Sequence, residues 1–237
     1  MFDSEFFDDV LRVCRGKQCF DVANFHYYPV FRGRWEPYGR DLIGKTNYVK
    51  QKLTEYGFTN VKLMCTEISW GSKPPTDPAD WTSPELQDRY VVKAFLRSMA
   101  AGLESVTWYA MKETGEAYLP GLLQSNNQPK SSYWVYQRMA AMLARARYGR
   151  SLARAETGSS MIEGYVLTSG SGRRIDVVWT EDDTYFDPND DPQVPLVVNA
   201  RQLRVVDKYG NETWHTSTTG KITLVVGGSP LYLEYYQ

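Results

Sequence analysis

The residues best placed to do chemistry stand where three apolar runs end. Asn60 to Gly71 reads as a buried strand, Val61-Lys62-Leu63-Met64-Cys65-Thr66, that passes into a loop at Glu67. A carboxylate at such a point is costly to desolvate unless it is paired or used. Upstream, Phe20 to Pro29 ends a second apolar strand in His26, Tyr27 and Tyr28, and downstream Ser105-Val106-Thr107 ends a third in Trp108. Residues two apart on a strand share a face, so His26 and Tyr28 go together. In barrel enzymes catalytic side chains gather at the carboxyl ends of strands, and these three ends suggest one active-site face. Each residue alone has a plainer reading: a structural acid paired with an arginine, a satisfied core histidine, a packing indole.

The elements that must position these ends alternate. Residues 5–16 read as a helix, with Phe6, Phe7, Val10, Leu11 and Cys14 at helical spacing and Gly16 as its stop. A strand over 19–27 follows, then a loop from Val30 to Gly39 carrying Arg32, Arg34 and Trp35. A helix over 41–56 precedes the strand that ends at Glu67. Ser83-Pro84-Glu85 is a helix start, with a cap, a proline at the first helical position and an early acid. That helix turns Leu86, Tyr90, Val91, Ala94 and Phe95 inward. The third strand spans 104–110, and a last helix runs from Ser131 to Tyr148 with Tyr133, Tyr136, Met139, Ala140 and Leu143 inward. The order α-β-α-β-α-β-α favours a parallel sheet with right-handed crossovers.

From about residue 155 the pattern changes. Segments 161–168, 174–180, 194–206 and 221–236 are β-branched or aromatic and separated by Gly, Asp, Asn and Pro, which reads as a small β-sandwich. The charged linker 152–158 sets the expected division at 1–152 and 153–237. The acidic run Glu181 to Asp191 lacks the glycine and terminal glutamate of an EF-hand and reads as a solvated loop.

Composition narrows the partners. With 42% hydrophobic and 14% aromatic residues in 237, the chain can bury a real core. A net charge of -1 argues against an electrostatic nucleic-acid binder. No apolar run approaches the roughly 18 residues of a membrane span, and no signal peptide is visible. Cys14, Cys19 and Cys65 have no metal-ligand spacing and do not resemble a disulfide framework, and Cys65 reads as a small buried hydrophobe. Neither a metal nor a cofactor is expected. The compartment stays open.

Asp21…His26-x-Tyr28, Thr66-Glu67 with Trp70, and Trp108-Tyr109 together resemble the retaining (β/α)8-barrel glycoside hydrolases whose catalytic glutamates follow strands four and seven, the β-xylosidase and cellulase type. The resemblance extends to Pro129-Lys130 before the last barrel helix and to a terminal β-domain ending in Ser229-Pro230-Leu231-Tyr232. It implies a partial TIM barrel, strands six to eight, followed by a β-sandwich. Glu67 then matches the nucleophile, Tyr28 the tyrosine whose hydroxyl touches it, and Trp108 the tryptophan that floors the sugar subsite. His26 lies on the face of Tyr28, while Trp70 and Trp35 stand on loops that could shape outer subsites.

Such enzymes set an ionised carboxylate about 5–5.5 Å from a protonated one. The family's acid/base, a glutamate in an Asn-Glu pair after strand four, has no counterpart, because Asn211-Glu212 falls in a turn of the β-domain. A complete barrel takes about 250 residues, and strands one to five are not represented. The resemblance therefore implies the C-terminal part of a carbohydrate-cleaving enzyme that carries the nucleophile and depends on the missing strands for activity. The other readings are a non-catalytic carbohydrate-binding or degenerate module, and a fragment without function. The three strands would have open edges and expose inward side chains such as Leu63, Cys65 and Val106. Pairing with a fragment carrying strands one to five, or self-association, is then expected.

Overall fold

The computed structural model describes residues 4–17, 19–74, 82–181 and 191–236. The loop residues 75–81, and all of the acidic run between Glu181 and Asp191, lie outside the described residues. Contacts group the chain into two compact units, Met1–Ser69 with Arg97–Tyr109, and Trp70–Leu96 with Ala110–Gln237. Both are discontinuous in sequence.

The first unit holds α1 (Ser4–Cys14), β1 (Val22–Tyr27), α2 (Asp41–Glu55), β2 (Lys62–Ile68), the last turn of α3 (Pro84–Ala100) and β3 (Ser105–Trp108). The strands form a parallel sheet in the order β1-β2-β3, as the alternation of elements requires. In β1, burial alternates strictly: Ala23, Phe25 and Tyr27 are buried, and Val22, Asn24 and His26 are exposed. Leu63 and Cys65 of β2 are buried on the same side as Phe25, at 4% and 0% exposure. Among the described residues the outer edges of β1 and β3 have no strand partner.

The alternation breaks once. Pairing runs Asn24 with Met64 and Phe25 with Cys65, then His26 with Glu67, skipping Thr66. On the other side, Cys65 pairs with Val106 and Ile68 with Trp108, so Thr66 and Glu67 oppose Thr107 alone. This is a β-bulge, which places two successive residues on one face. Thr66 reaches Asn24 across the sheet, Oγ1 to Oδ1 at 3.3 Å, and Glu67 reaches His26. The bulge corrects the expectation for Leu63, Cys65 and Val106. They lie on the face opposite Glu67, and the exposed face is lined chiefly by polar residues such as Asn24, Lys62, Thr66 and Thr107.

Between β1 and α2 the chain forms two short 3-10 helices, Pro29–Arg34 and Glu36–Tyr38, in place of an irregular loop. Gly44 of α2 lets that segment close on the helix: a Cβ there would stand 2.2 Å from the Gly39 carbonyl oxygen and 2.5 Å from that of Trp35. Two further expectations are corrected in this unit. Phe6 is 69% exposed, and Cys14 and Cys19 form a disulfide with Cα atoms 5.7 Å apart.

The second unit begins with α3. Its start follows the sequence signal, with Ser83 Oγ accepting the Leu86 N–H at 3.1 Å. The next helix, α4, ends at Met142, because Arg145 takes a left-handed φ of 60° and Arg147–Ser151 becomes a strand, β4. The buried face of α4 is Ser132, Val135 and Met139, and Ala140 is exposed. Then follow β5 (Ile162–Thr168), β6 (Arg174–Thr180), β7 (Val194–Asn199), β8 (Gln202–Asp207), β9 (Glu212–Thr216), β10 (Lys221–Val226) and β11 (Leu231–Tyr236). Six strands form an antiparallel sheet, β4-β5-β6-β11-β8-β9, and β7 pairs with β10. One core is shared between them, with Val178, Leu203 and Leu233 from the large sheet and Leu196, Leu224 and Val226 from the ribbon.

Helix α3 is tied to these strands by polar contacts. Glu85 accepts from Lys208 Nζ at 2.7 Å and Ser229 Oγ at 3.0 Å, and Asp88 from Tyr209 OH at 2.8 Å and Ser131 Oγ at 2.9 Å. Asp88 is 1% exposed, and burial pushes its carboxyl up to about 6. Among the described residues no helix is long and apolar enough to cross a membrane.

Candidate functional site

The bulge in β2 sets Glu67 beside the end of β1. Its Oε2 lies 2.7 Å from Tyr28 OH and 2.6 Å from His26 Nδ1. Tyr28 donates a hydrogen bond to this oxygen, and the His26 ring stands beside the same oxygen at ion-pair distance. No other hydrogen bond to this carboxylate is made among the described residues, so Oε1 is left open. The Glu67 side chain keeps 24% of its surface exposed and His26 55%, so a dissolved molecule can reach both.

Buried polar contacts hold the end of β1 from behind. Tyr27, between His26 and Tyr28, turns to the opposite face and donates to Asp41 Oδ1 at 2.6 Å. Asp41 Oδ2 accepts from Arg97 Nη1 at 2.8 Å, with the two side chains 1% and 0% exposed. Lys45 Nζ donates to the His26 carbonyl at 2.5 Å and lies 4.9 Å from the Trp35 ring centroid. Burial lowers the Lys45 ammonium to about 8, against a raising influence of the Cys65 thiol. The Cys65 Sγ donates to the Glu67 carbonyl at 3.3 Å, and burial pushes this thiol up to about 12. Sequence reasoning missed Asp41, Arg97 and Lys45. Nothing in the two helices marks them, since an acid at a helix start and cations further along are ordinary solvent-facing choices.

A cavity of about 330 Å³ adjoins the site, lined by His26, Tyr28, Phe31, Arg34, Trp35 and Lys45 among others. It brings in Trp35, whose ring is 5.1 Å from that of Tyr48 and which is 8% exposed. The other aromatic candidates are placed differently. Trp108 ends β3 level with Ile68 and is 8% exposed. Trp70 is 1% exposed, packs its ring 4.9 Å from Tyr90 and accepts the Gln87 Nε2–H at its carbonyl. Trp70 is a core residue of the second unit, because the loop folds inward after Ser69 instead of presenting the indole to solvent. Among the described residues no group of His, Cys, Asp or Glu is placed to hold a metal.

No family model matches the sequence, and no curated protein does. Solved structures do. A family 39 glycoside hydrolase from the gut symbiont Bacteroides cellulosilyticus WH2 aligns at a TM-score of 0.74 and 21% identity, over 98% of this chain and 48% of that one. A glucosidase from Croceicoccus marinus aligns at 0.58 and 12%, over 98% and 56%. A GH51 arabinofuranosidase from Xanthomonas axonopodis pv. citri aligns at 0.58 and 10%, over 99% and 56%. The chain spans about half the length of these structures. At such identities the likeness is one of fold, and the fold is glycoside-hydrolase-like.

Proposed function

From that fold, we propose that the chain carries the nucleophile half of a retaining glycoside hydrolase site, with Glu67 as the nucleophile. The observation that carries the reading is the convergence of His26 and Tyr28 on Oε2. One hydroxyl donor and one imidazole nitrogen against the same oxygen hold that side of the carboxylate and leave Oε1 to attack. In the reaction Oε1 bonds to the anomeric carbon as the C–O bond to the leaving group breaks. Water then cleaves the glycosyl ester, and the anomeric configuration is retained. Trp108 would floor the sugar subsite, as the resemblance implies, and the cavity beside His26 would take part of the substrate.

The acid/base that protonates the leaving oxygen is, in this reading, supplied from outside residues 1–237, along with strands one to five of a TIM barrel. Such a segment would pair with the free edges of β1 and β3. A β-sandwich completes the arrangement. A positioned acid is worth about 10²–10⁴-fold, so the chain by itself should act only on activated glycosides.

The experiment is a panel of dinitrophenyl 2-deoxy-2-fluoroglycosides, whose leaving groups need no proton. Intact mass followed by peptide mapping should find one glycosyl adduct on Glu67, absent from Glu67→Gln. Label on another residue, or equal labelling of Glu67→Gln, overturns the assignment. Turnover of an unactivated disaccharide by the pure chain overturns the half-site.

A further inference from the structure

The second unit carries a groove of about 880 Å³ in which, among the described residues, two arginines make no ion pair with an acid. The turn between β5 and β6 contributes Arg173, the first residue of β6 is Arg174, and the turn between β7 and β8 contributes Arg201. Arg174 is compensated. Its Nε and Nη2 donate to the two oxygens of Asp176 at 2.8 and 2.6 Å, and Tyr235 OH donates to the same carboxylate at 2.7 Å. Arg173 instead donates to Tyr236 OH at 2.8 Å, with its guanidinium carbon 5.4 Å from that ring. The Arg201 side chain makes no hydrogen bond or ion pair among the described residues. The groove is therefore left with a local surplus of two positive charges, on a chain whose net charge is -1.

An arginine on a surface is ordinarily just solvated. Here Arg173 is held against Tyr236, and the aromatic surface continues to Trp214, whose ring lies 4.9 Å from Tyr236 and which is 50% exposed. A guanidinium fork matches a planar carboxylate with paired hydrogen bonds. Tyrosine and tryptophan faces supply rigid apolar area with a polar edge, which suits a sugar ring. The volume falls in the range of small-ligand sites. Two uncompensated cations are too few for a phosphate-tracking nucleic-acid surface, which needs a basic stripe.

We propose that this groove is an accessory binding site for an acidic oligosaccharide, in which Arg173 and Arg201 take the carboxylate of a uronate and the Tyr236–Trp214 surface carries a ring. Every residue in the site belongs to the second unit, and Glu67 belongs to the first. It holds substrate-like chains without cleaving them.

The test is titration calorimetry of the whole chain with tetragalacturonate. Binding should weaken as salt is raised and fall about tenfold or more in Arg201→Ala and in Arg173→Ala. Both positions are exposed, so the variants should fold, and an unchanged melting curve checks that. Glu67→Gln should bind as the parent does, whatever becomes of the catalytic proposal. The fully methyl-esterified tetramer should bind at least tenfold more weakly. Equal binding of that neutral ligand, undiminished binding by both arginine variants, or no binding at millimolar ligand overturns the proposal. A sulfated tetrasaccharide or an oligonucleotide binding more tightly than the uronide overturns the choice of ligand.

Discussion

Neutralising Asp41 should destabilise the chain far more than a typical single substitution. Asp41 and Arg97 meet at 2.8 Å with side chains 1% and 0% exposed, and Tyr27 donates to the second oxygen at 2.6 Å. Asparagine is the substitution of choice. Asp41 has a φ of 48°, a left-handed conformation that asparagine and aspartate tolerate better than other non-glycine residues. Asp41→Asn therefore removes charge without adding backbone strain. Breaking one side of a buried pair costs about 3–5 kcal/mol, because the buried cation loses a counter-charge. The weakened Tyr27 bond overlaps with this figure and is not added to it. At a urea slope of about 2 kcal/mol/M, a loss of about 4 kcal/mol lowers the midpoint by roughly 2 M. Far-UV circular dichroism and tryptophan fluorescence, read on the same urea series, would measure it. The double variant Asp41→Asn/Arg97→Met should recover more than half of the loss, since the buried cation is gone as well. A single variant within about 1 kcal/mol of the parent, or a double variant as unstable as the two singles added, would refute the argument.

Two further outcomes follow from buried groups elsewhere. Asp88 has a folded value of about 6 against an ordinary 3.8, so between those values the folded chain binds a proton that the unfolded chain lacks. Its contribution is therefore most favourable below about pH 4 and is lost as pH rises through 6, by about 3 kcal/mol. Asp88→Asn should flatten that decline in urea midpoints taken from pH 4.5 to 7, and a parent no more pH-dependent than the variant would count against it. Cys65, 0% exposed and pushed up to about 12, should ignore Ellman's reagent in the native chain and react fully in denaturant. Fast labelling of the native protein would show that β2 opens.

The sequence made the strand ends legible because polar residues that close an apolar run stand out against it. Glu67, His26 and Tyr28 were found that way, and Ser83 and Pro84 marked a helix start through capping chemistry. What it hid were features set by distant partners. Continuing strict alternation back from Glu67 puts Cys65 and Leu63 on the face of Glu67, and only the ladders to β1 and β3 reveal the extra residue. The run from Leu143 to Ala146 is rich in good helix formers, yet Tyr148 pairs with Leu167 of β5, so tertiary pairing overrides propensity. Trp70 reads as a loop aromatic, and its burial is set by packing on Tyr90, a partner on a separate helix. The Cys14–Cys19 bridge depends on a chain reversal that spacing alone does not announce.

The extra residue in β2 also separates two kinds of constraint. Were Thr66 to pair in regular alternation instead of forming the bulge, the parity that carries Leu63 and Cys65 into the interior would carry Glu67 there too, and any change that improved packing would drag the carboxylate along. With it, the strand is out of phase with itself: the segment up to Cys65 answers to the interior, and the pair Thr66–Glu67 answers to whatever approaches from solvent. Interior volume can then drift at Leu63 or Cys65 while the reach of Glu67 toward His26 and Tyr28 stays fixed. Deleting Thr66 would join the two phases again. The strand would then alternate regularly and still hold Glu67 on the exposed face, because the residue directly after Cys65 points away from it.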